Sequence, residues 1–314
     1  MNRLFNKVKI KPKFWDYKGL TVWSILLLPL SIIFLFFSLI SKNYKKKNKF
    51  SIPVICVGNI YIGGTGKTPL VKEIFKIIKS VGKNPAFIKK DYDYLVDEIK
   101  MLKKTGKTFT NKSRLIAINS SIFNNHNVAI LDDGYQDFEI YKDLSILCFN
   151  SNQLIGNGFI IPSGPLREKF NSIKRADCIV INGNRNIEFE KKINASAGSK
   201  NIPIFYSKYK IKNIEKFHNK SIIAFAGIGN PINFFNLLRE NNFNLKKTYS
   251  FPDHYNYTQK DFDKIIGNNN LKIITTEKDF NRINESQKKN CDYVEVSLEI
   301  KNAEKFKNFI LSYI

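Results

Sequence analysis

Ile52-Pro53-Val54-Ile55-Cys56-Val57 leads through Gly58 into Gly63-Gly64-Thr65-Gly66-Lys67-Thr68, and Pro69 to Ile78 continues with helical spacing. The apolar run reads as a buried strand, the glycines as a turn, and Lys-Thr as the mouth of a helix. That order is the build of a phosphate-binding loop. Backbone N–H groups of Gly63, Gly64, Thr65 and Gly66 can converge on phosphate oxygens, and the helix N-terminus adds its partial positive charge. Lys67 is placed for the terminal phosphates and the Thr68 hydroxyl for Mg²⁺. The standard pattern carries a further glycine where this chain has Tyr61. The reading implies a bound nucleoside triphosphate.

A partner for that loop stands further on. Val128-Ala129-Ile130-Leu131 reads as a second buried strand, and it stops at Asp132-Asp133. Ligands of open α/β sheets bind at the carboxyl ends of strands, and a carboxylate there can share Mg²⁺ with the loop threonine. Around these two strands the pattern alternates. Helices are expected over 69–80 and 113–124, weakly over 94–103, with strands over 86–88, 144–149 and 178–181. Such alternation implies a parallel sheet. A second set follows from Ile204: strands over 221–225 and 272–275, a helix over 233–240 and a terminal helix over 303–313. The expected class is α/β, with a P-loop NTPase-like parallel-sheet domain and a smaller α/β domain. The expected division is 1–48 as a membrane-anchoring segment, 49–205 as the P-loop domain and 206–314 as the smaller domain.

Leu20 to Ile40 carries no charged residue. About 21 apolar residues suffice to span a bilayer as a helix. Arg3, Lys7, Lys9, Lys11, Lys13 and Lys18 precede it, and Lys42, Lys45, Lys46, Lys47 and Lys49 follow, so flanking charge sets no orientation. Pro29 adds the alternative of a kinked or re-entrant segment. Net charge is +24, from 51 Lys+Arg against 27 Asp+Glu, which favours anionic partners such as phospholipid or phosphorylated substrates. Abundant lysine and asparagine also reads as compositional bias. No basic stretch interleaved with aromatics suggests a nucleic-acid module. The cysteines, Cys56, Cys148, Cys178 and Cys291, lie far apart, so neither a zinc knuckle nor a redox pair is suggested.

More motifs run in order along the chain: Val57-Gly58-Asn59, Asp132-Asp133-Gly134-Tyr135-Gln136, Pro162-Ser163-Gly164-Pro165-Leu166-Arg167-Glu168, Ala226-Gly227-Ile228-Gly229-Asn230-Pro231, Phe251-Pro252-Asp253-His254-Tyr255 and Thr276-Glu277-Lys278-Asp279. Together with the phosphate loop they resemble the tetraacyldisaccharide 4′-kinase (lipid A 4′-kinase) family of Gram-negative bacteria. The resemblance implies transfer of the γ-phosphoryl of MgATP to the 4′-hydroxyl of an acylated glucosamine disaccharide 1-phosphate, yielding lipid IVA. It implies that Lys67 holds the β/γ-phosphates and that Thr68 with Asp132 or Asp133 holds Mg²⁺. It assigns Asp97 as base, His254 as its catalytic partner, and Arg167 and Glu168 to the nucleotide side. Glu98 and Arg114 fall at substrate-side positions. It further implies an enzyme at the inner membrane, in contact with its lipids, with catalytic domains on the cytoplasmic side. Neither nucleic acid nor an obligate protein partner is expected.

The chain also departs from that family. A Ser-Arg-Gly-Tyr-Gly-Gly loop is usual after the second strand, and Lys89-Lys90-Asp91-Tyr92-Asp93-Tyr94 stands there instead, without glycine. Asp137 replaces a usual histidine. Thr276-Glu277-Lys278-Asp279 also reads as a helix cap after a strand. Two other readings fit the same residues: a membrane-tethered P-loop NTPase with another acceptor, and a non-enzymatic, nucleotide-regulated membrane scaffold.

Overall fold

Val54-Ile55-Cys56-Val57 carries apolar side chains on both faces of the strand, which is stable only inside a sheet covered on both sides. The structure, a computed structural model that describes residues 11–43, 46–267 and 271–314, buries all of them. The strands are β1 (Val54–Gly58), β2 (Pro85–Lys90), β3 (Thr108–Asn111), β4 (Val128–Asp132), β5 (Leu144–Asn150), β6 (Cys178–Asn182), β7 (Ile204–Ile211), β8 (Ser221–Ala226), β9 (Asn244–Ser250), β10 (Lys272–Thr276), β11 (Asp292–Val294) and β12 (Val296–Ile300). One sheet has eight strands in the order β12-β7-β6-β5-β1-β4-β2-β3, and the other four in the order β11-β10-β8-β9. From β7 to β3 every pairing is parallel. β1 lies between β4 and β5, so the chain turns toward one side after β1 and the other after β4. A switch of this kind opens a crevice at the strand carboxyl ends.

The helices are α1 (Val22–Leu26), α2 (Leu28–Asn43), α3 (Lys67–Ser80), α4 (Val96–Thr105), α5 (Arg114–Phe123), α6 (Ile187–Ala197), α7 (Pro231–Glu240), α8 (Gln259–Ile266), α9 (Glu277–Phe280), α10 (Glu285–Lys288) and α11 (Ala303–Leu311). α3 buries Leu70, Val71, Ile74, Phe75 and Ile78, one stripe at helical spacing. Thr276 caps α9 by accepting from the Asp279 N–H, as the cap reading of that motif anticipated.

Two compact units result. The larger comprises residues 12–91, 105–208 and 298–314; the smaller contains 92–104 and 209–297. The contiguous division at 205 is therefore corrected. β7 pairs with β6 in the large sheet, and the final helix returns to the larger unit. The segment 92–104, with most of α4, leaves the larger unit and joins the smaller.

Of the two readings of the apolar segment, one spanning helix or a chain broken near Pro29, the described residues follow the broken one. α1 ends at Leu26 with Leu27 as its C-cap, and α2 starts at Leu28 with Pro29 in its first turn, where a missing N–H costs nothing. Thr21 and Ser24 form a capping box that fixes the start of α1. No helix of the described residues is long and apolar enough to cross a membrane. Within the larger unit, the Ser31 hydroxyl donates to the Ile160 carbonyl at 2.9 Å and sits 2.8 Å from Ser163 Oγ. Leu35 packs on the core. Outward, Trp23, Leu26, Ile32, Phe36 and Phe37 stay exposed. The flanking Arg3, Lys7, Lys9 and Lys45 lie outside the described residues.

Candidate active site

In the larger unit the phosphate loop spans the end of β1 and the start of α3. Gly66 caps α3 at φ 93°, a left-handed conformation suited to glycine. Asn59 pins the loop from inside. Its Nδ2 donates to the Tyr61 carbonyl and, at 3.1 Å, to Thr65 Oγ1. Gly58 lies so close to Tyr135 that a Cβ would meet the Tyr135 Cβ at 2.4 Å. Only glycine lets the end of β1 approach the turn after β4 this closely.

That turn carries the carboxylates. Thr68 Oγ1 donates to Asp132 Oδ2 at 3.1 Å, which leaves the hydroxyl lone pairs free. Lys89 Nζ reaches the same oxygen at 2.7 Å. Asp132 Oδ1 is buried with no hydrogen-bond partner. Asp133 lies 3.6 Å from Lys67 Nζ and accepts from Arg167 Nη1 at 3.0 and 3.1 Å. Burial would raise the Asp133 pKa, but Lys67, Arg167, Lys89 and Arg114 outweigh it and hold the carboxyl well below the usual range.

Arg114 is buried and donates to the Asp132 and Asp133 carbonyls at 3.2 and 2.7 Å and to Asp137 at 3.1 Å. The structure thus places this residue, expected on the substrate side, behind the carboxylate turn. Its partner is the aspartate that departs from the family's histidine. Glu168 is held by Arg175 at 2.8 and 2.9 Å and accepts from Gln136 Nε2 at 3.0 Å. Gln136 also donates to the Asn59 carbonyl at 2.9 Å, linking both turns.

The smaller unit gathers a separate cluster. Asp97 and Glu98 occupy the first turn of α4, where the helix dipole favours negative charge. Arg282 donates to Asp97 Oδ2 through Nη2 and to the Gly227 carbonyl at 2.8 Å through Nη1. The same Nη2 is 3.1 Å from His254 Nδ1. His254 Nδ1 lies 3.9 Å from Asp97 Oδ1, beyond hydrogen-bond range, and Oδ1 is a second buried oxygen without a hydrogen-bond partner. Lys278 Nζ is 3.3 Å from His254 Nε2, 3.0 Å from Glu98 and 3.5 Å from Asp253. Burial would lower the Lys278 pKa; Glu98 and Asp253 outweigh it and raise it. A neutral imidazole accepts at one nitrogen only, so one of its two cationic neighbours makes a hydrogen bond and the other a bare approach.

Burial first, then Lys278 and Arg282, lowers the His254 pKa below 6.5. An unfolded histidine takes its proton near pH 6.5, whereas the folded one resists it. Stability present above that value is therefore lost as pH falls through the folded pKa. Thermal melts between pH 7 and 5 are expected to drop less steeply for His254→Gln than for the wild type. Parallel slopes would remove this assignment.

The LpxK family model, tetraacyldisaccharide-1-P 4′-kinase, matches residues 23–98 and 89–314. The chain belongs to this family. The tetraacyldisaccharide 4′-kinase of Pelagibacter ubique (strain HTCC1062) is 44% identical over 308 residues, 96% of this chain and 97% of the relative. That of Rickettsia canadensis (strain McKiel) is 32% identical over 312 residues, 93% of each chain. An LpxK from Aquifex aeolicus, solved in complex with ATP, shares the fold at a TM-score of 0.71 and 24% identity, covering 92% of this chain and 99% of that one.

In this LpxK-family chain the structure adds residues that sequence reasoning passed over. Arg282 and Lys278 join Asp97, Glu98 and His254, and Lys89 joins Asp132. Arg282 follows Asp279 by three residues, one helical step, and that spacing was its only local signal.

Proposed function

We propose that the protein is an ATP-dependent lipid kinase that moves the γ-phosphoryl of MgATP to the 4′-hydroxyl of tetraacyldisaccharide 1-phosphate, forming lipid IVA. The carrying observation is family membership over nearly the whole chain, with a relative named for this reaction 44% identical across 96% of it. Two pieces of geometry support the reading: a threonine hydroxyl and an aspartate joined at a phosphate loop, and a buried aspartate with an open oxygen.

In this reading the backbone of Gly63, Gly64, Thr65 and Gly66 cradles the ATP phosphates, and Lys67 and Arg167 neutralise them. The donor set fits Mg²⁺: Thr68 keeps its lone pairs by donating its proton to Asp132, and Asp132 Oδ1 is unengaged by any hydrogen bond. Thr68 with Asp132, and Asp133 beside them, would hold the ion through oxygen ligands that suit a hard cation. When bound it would withdraw charge from the β- and γ-phosphate oxygens. Asp97 accepts the proton of the 4′-hydroxyl at Oδ1. The freed oxygen attacks the γ-phosphorus, the bond from that phosphorus to the β-bridging oxygen breaks, and ADP leaves. Arg282 fixes Asp97 by its other oxygen, and neutral His254 stands beside it. Glu98 and Lys278 form a charged pair for the polar part of the acceptor, and Arg114 holds the carboxylate turn in place. Glu168, through Gln136, braces the loop.

The apolar faces of α1 and α2 suit an interfacial position on the inner membrane, with both catalytic units on the cytoplasmic side where ATP is present. Replacing Trp23, Phe36 and Phe37 together by serine is expected to abolish co-flotation with anionic vesicles. Unchanged flotation would remove the membrane role of this face. The reaction itself is tested by ADP release in mixed micelles. Turnover should rise at least about tenfold on adding the acylated disaccharide, and equal rates with and without it would overturn the assignment.

A further inference from the structure

Lys89 is buried to 2% exposure in β2, next to the strand that ends in Asp132. The pairs Phe87↔Ile130 and Ile88↔Leu131 carry the register up to it. Its ammonium lies 2.7 Å from Asp132 Oδ2, the oxygen that also accepts from Thr68. Burying an ammonium is costly unless it meets a carboxylate, so the pair is a built feature. It stands where the family's glycine-rich loop is absent from this chain. Lys67, Lys89, Arg114 and Arg167 thus crowd Asp132, Asp133 and Asp137, and cations outnumber carboxylates before any nucleotide arrives.

This arrangement bears on the divalent ion in a definite direction. A metal drawn to Asp132 meets a fixed positive charge already spending part of that carboxylate's field. A polyphosphate without metal meets a corner that is already partly neutralised. We propose that Lys89 is a resident cation of the metal corner, weakening capture of a free divalent ion and allowing the loop to bind ATP without one. The inference rests on the phosphate-loop reading above. It separates nucleotide binding, which tolerates metal-free ATP, from phosphoryl transfer, which needs the ion.

The test uses the full chain in detergent micelles. The dissociation constant of a fluorescent ATP analogue is measured in excess EDTA and in excess Mg²⁺, and their ratio is formed for each variant. Because each ratio is internal to one preparation, a partly folded fraction cancels. The wild-type ratio should lie within about tenfold of unity, and Lys89→Met should raise it by about tenfold or more, the size expected for one charge a few ångströms away. Lys89→Arg should keep the wild-type ratio. Without nucleotide, Mn²⁺ binding followed by electron paramagnetic resonance should tighten about tenfold in Lys89→Met. Unchanged ratios together with unchanged Mn²⁺ affinity would overturn the proposal. If Lys89→Met does not fold, the wild type decides alone: a ratio beyond about a hundredfold overturns it. Wild type that binds MgATP with such a ratio removes only the role of Lys89. Failure to bind nucleotide under any condition removes the phosphate-loop reading itself.

Discussion

Lys67→Ala should lower kcat for acceptor-dependent phosphoryl transfer by about 10³-fold or more while the protein remains folded. Lys67 opens α3 at the loop mouth, and its Nζ lies 3.6 Å from Asp133 with 12% of the side chain exposed. It is thus a cation held at the rim, poised to leave Asp133 for an arriving phosphate. Phosphoryl transfer depends almost wholly on positioning and charge neutralisation, and removal of one preorganised charge in a dry site costs about 10²–10³ or more. The fold should tolerate the change, because Arg167 still donates to both oxygens of Asp133. Rapid-quench measurement of single-turnover transfer, beside a thermal melt, checks both halves. A rate within tenfold of wild type would remove Lys67 from the reaction.

Asp97→Asn should be the next largest loss, about 10²–10⁴-fold in kcat, the range of a lost general base. Asparagine keeps the shape and can still accept from Arg282, so the acceptor KM should change far less than kcat. Arg282→Met should also lower kcat, for a different reason: Asp97 loses the guanidinium that fixes it, and His254 loses a cationic neighbour. That variant should show a His254 pKa closer to 6.5, readable by proton NMR. Near-normal transfer by Asp97→Asn would remove it as the base. An unmoved histidine titration would remove the electrostatic role of Arg282.

The donor half of this account was legible in the sequence because its signals are local. A two-faced apolar run, glycines at fixed offsets and Lys-Thr at a helix start lie within one βα unit, and four apolar residues ending in Asp132-Asp133 supply the neighbour. What escaped were elements whose pattern is weak. β3 is Thr-Phe-Thr-Asn, half-buried at a sheet edge, and β9 reads Asn-Leu-Lys-Lys-Thr-Tyr-Ser, with lysines where an edge strand faces water. β7, from Ile204, was taken only as the start of the second set and not singled out as a strand, and its alternation says nothing about which sheet it joins. Arg282 and Lys89 were invisible for a stronger reason. A lysine in a strand looks like an edge residue until a carboxylate is known to stand beside it. An arginine after a short helix looks like solvated surface until its fork meets Asp97, His254 and Gly227. These contacts span from tens of residues to 185 along the chain, and only folding brings them together.

In the reaction proposed for this chain, phosphate from ATP goes to one particular oxygen of a lipid sugar. The direct measurement is incubation with [γ-³²P]ATP, Mg²⁺ and tetraacyldisaccharide 1-phosphate, followed by isolation of the labelled lipid and assignment of its phosphate by ³¹P–¹H correlation NMR. The label should appear on the lipid, at the 4′-oxygen, with none in the Lys67→Ala reaction. Label released as inorganic phosphate, or attached at any other position of the sugar, would contradict the proposed reaction.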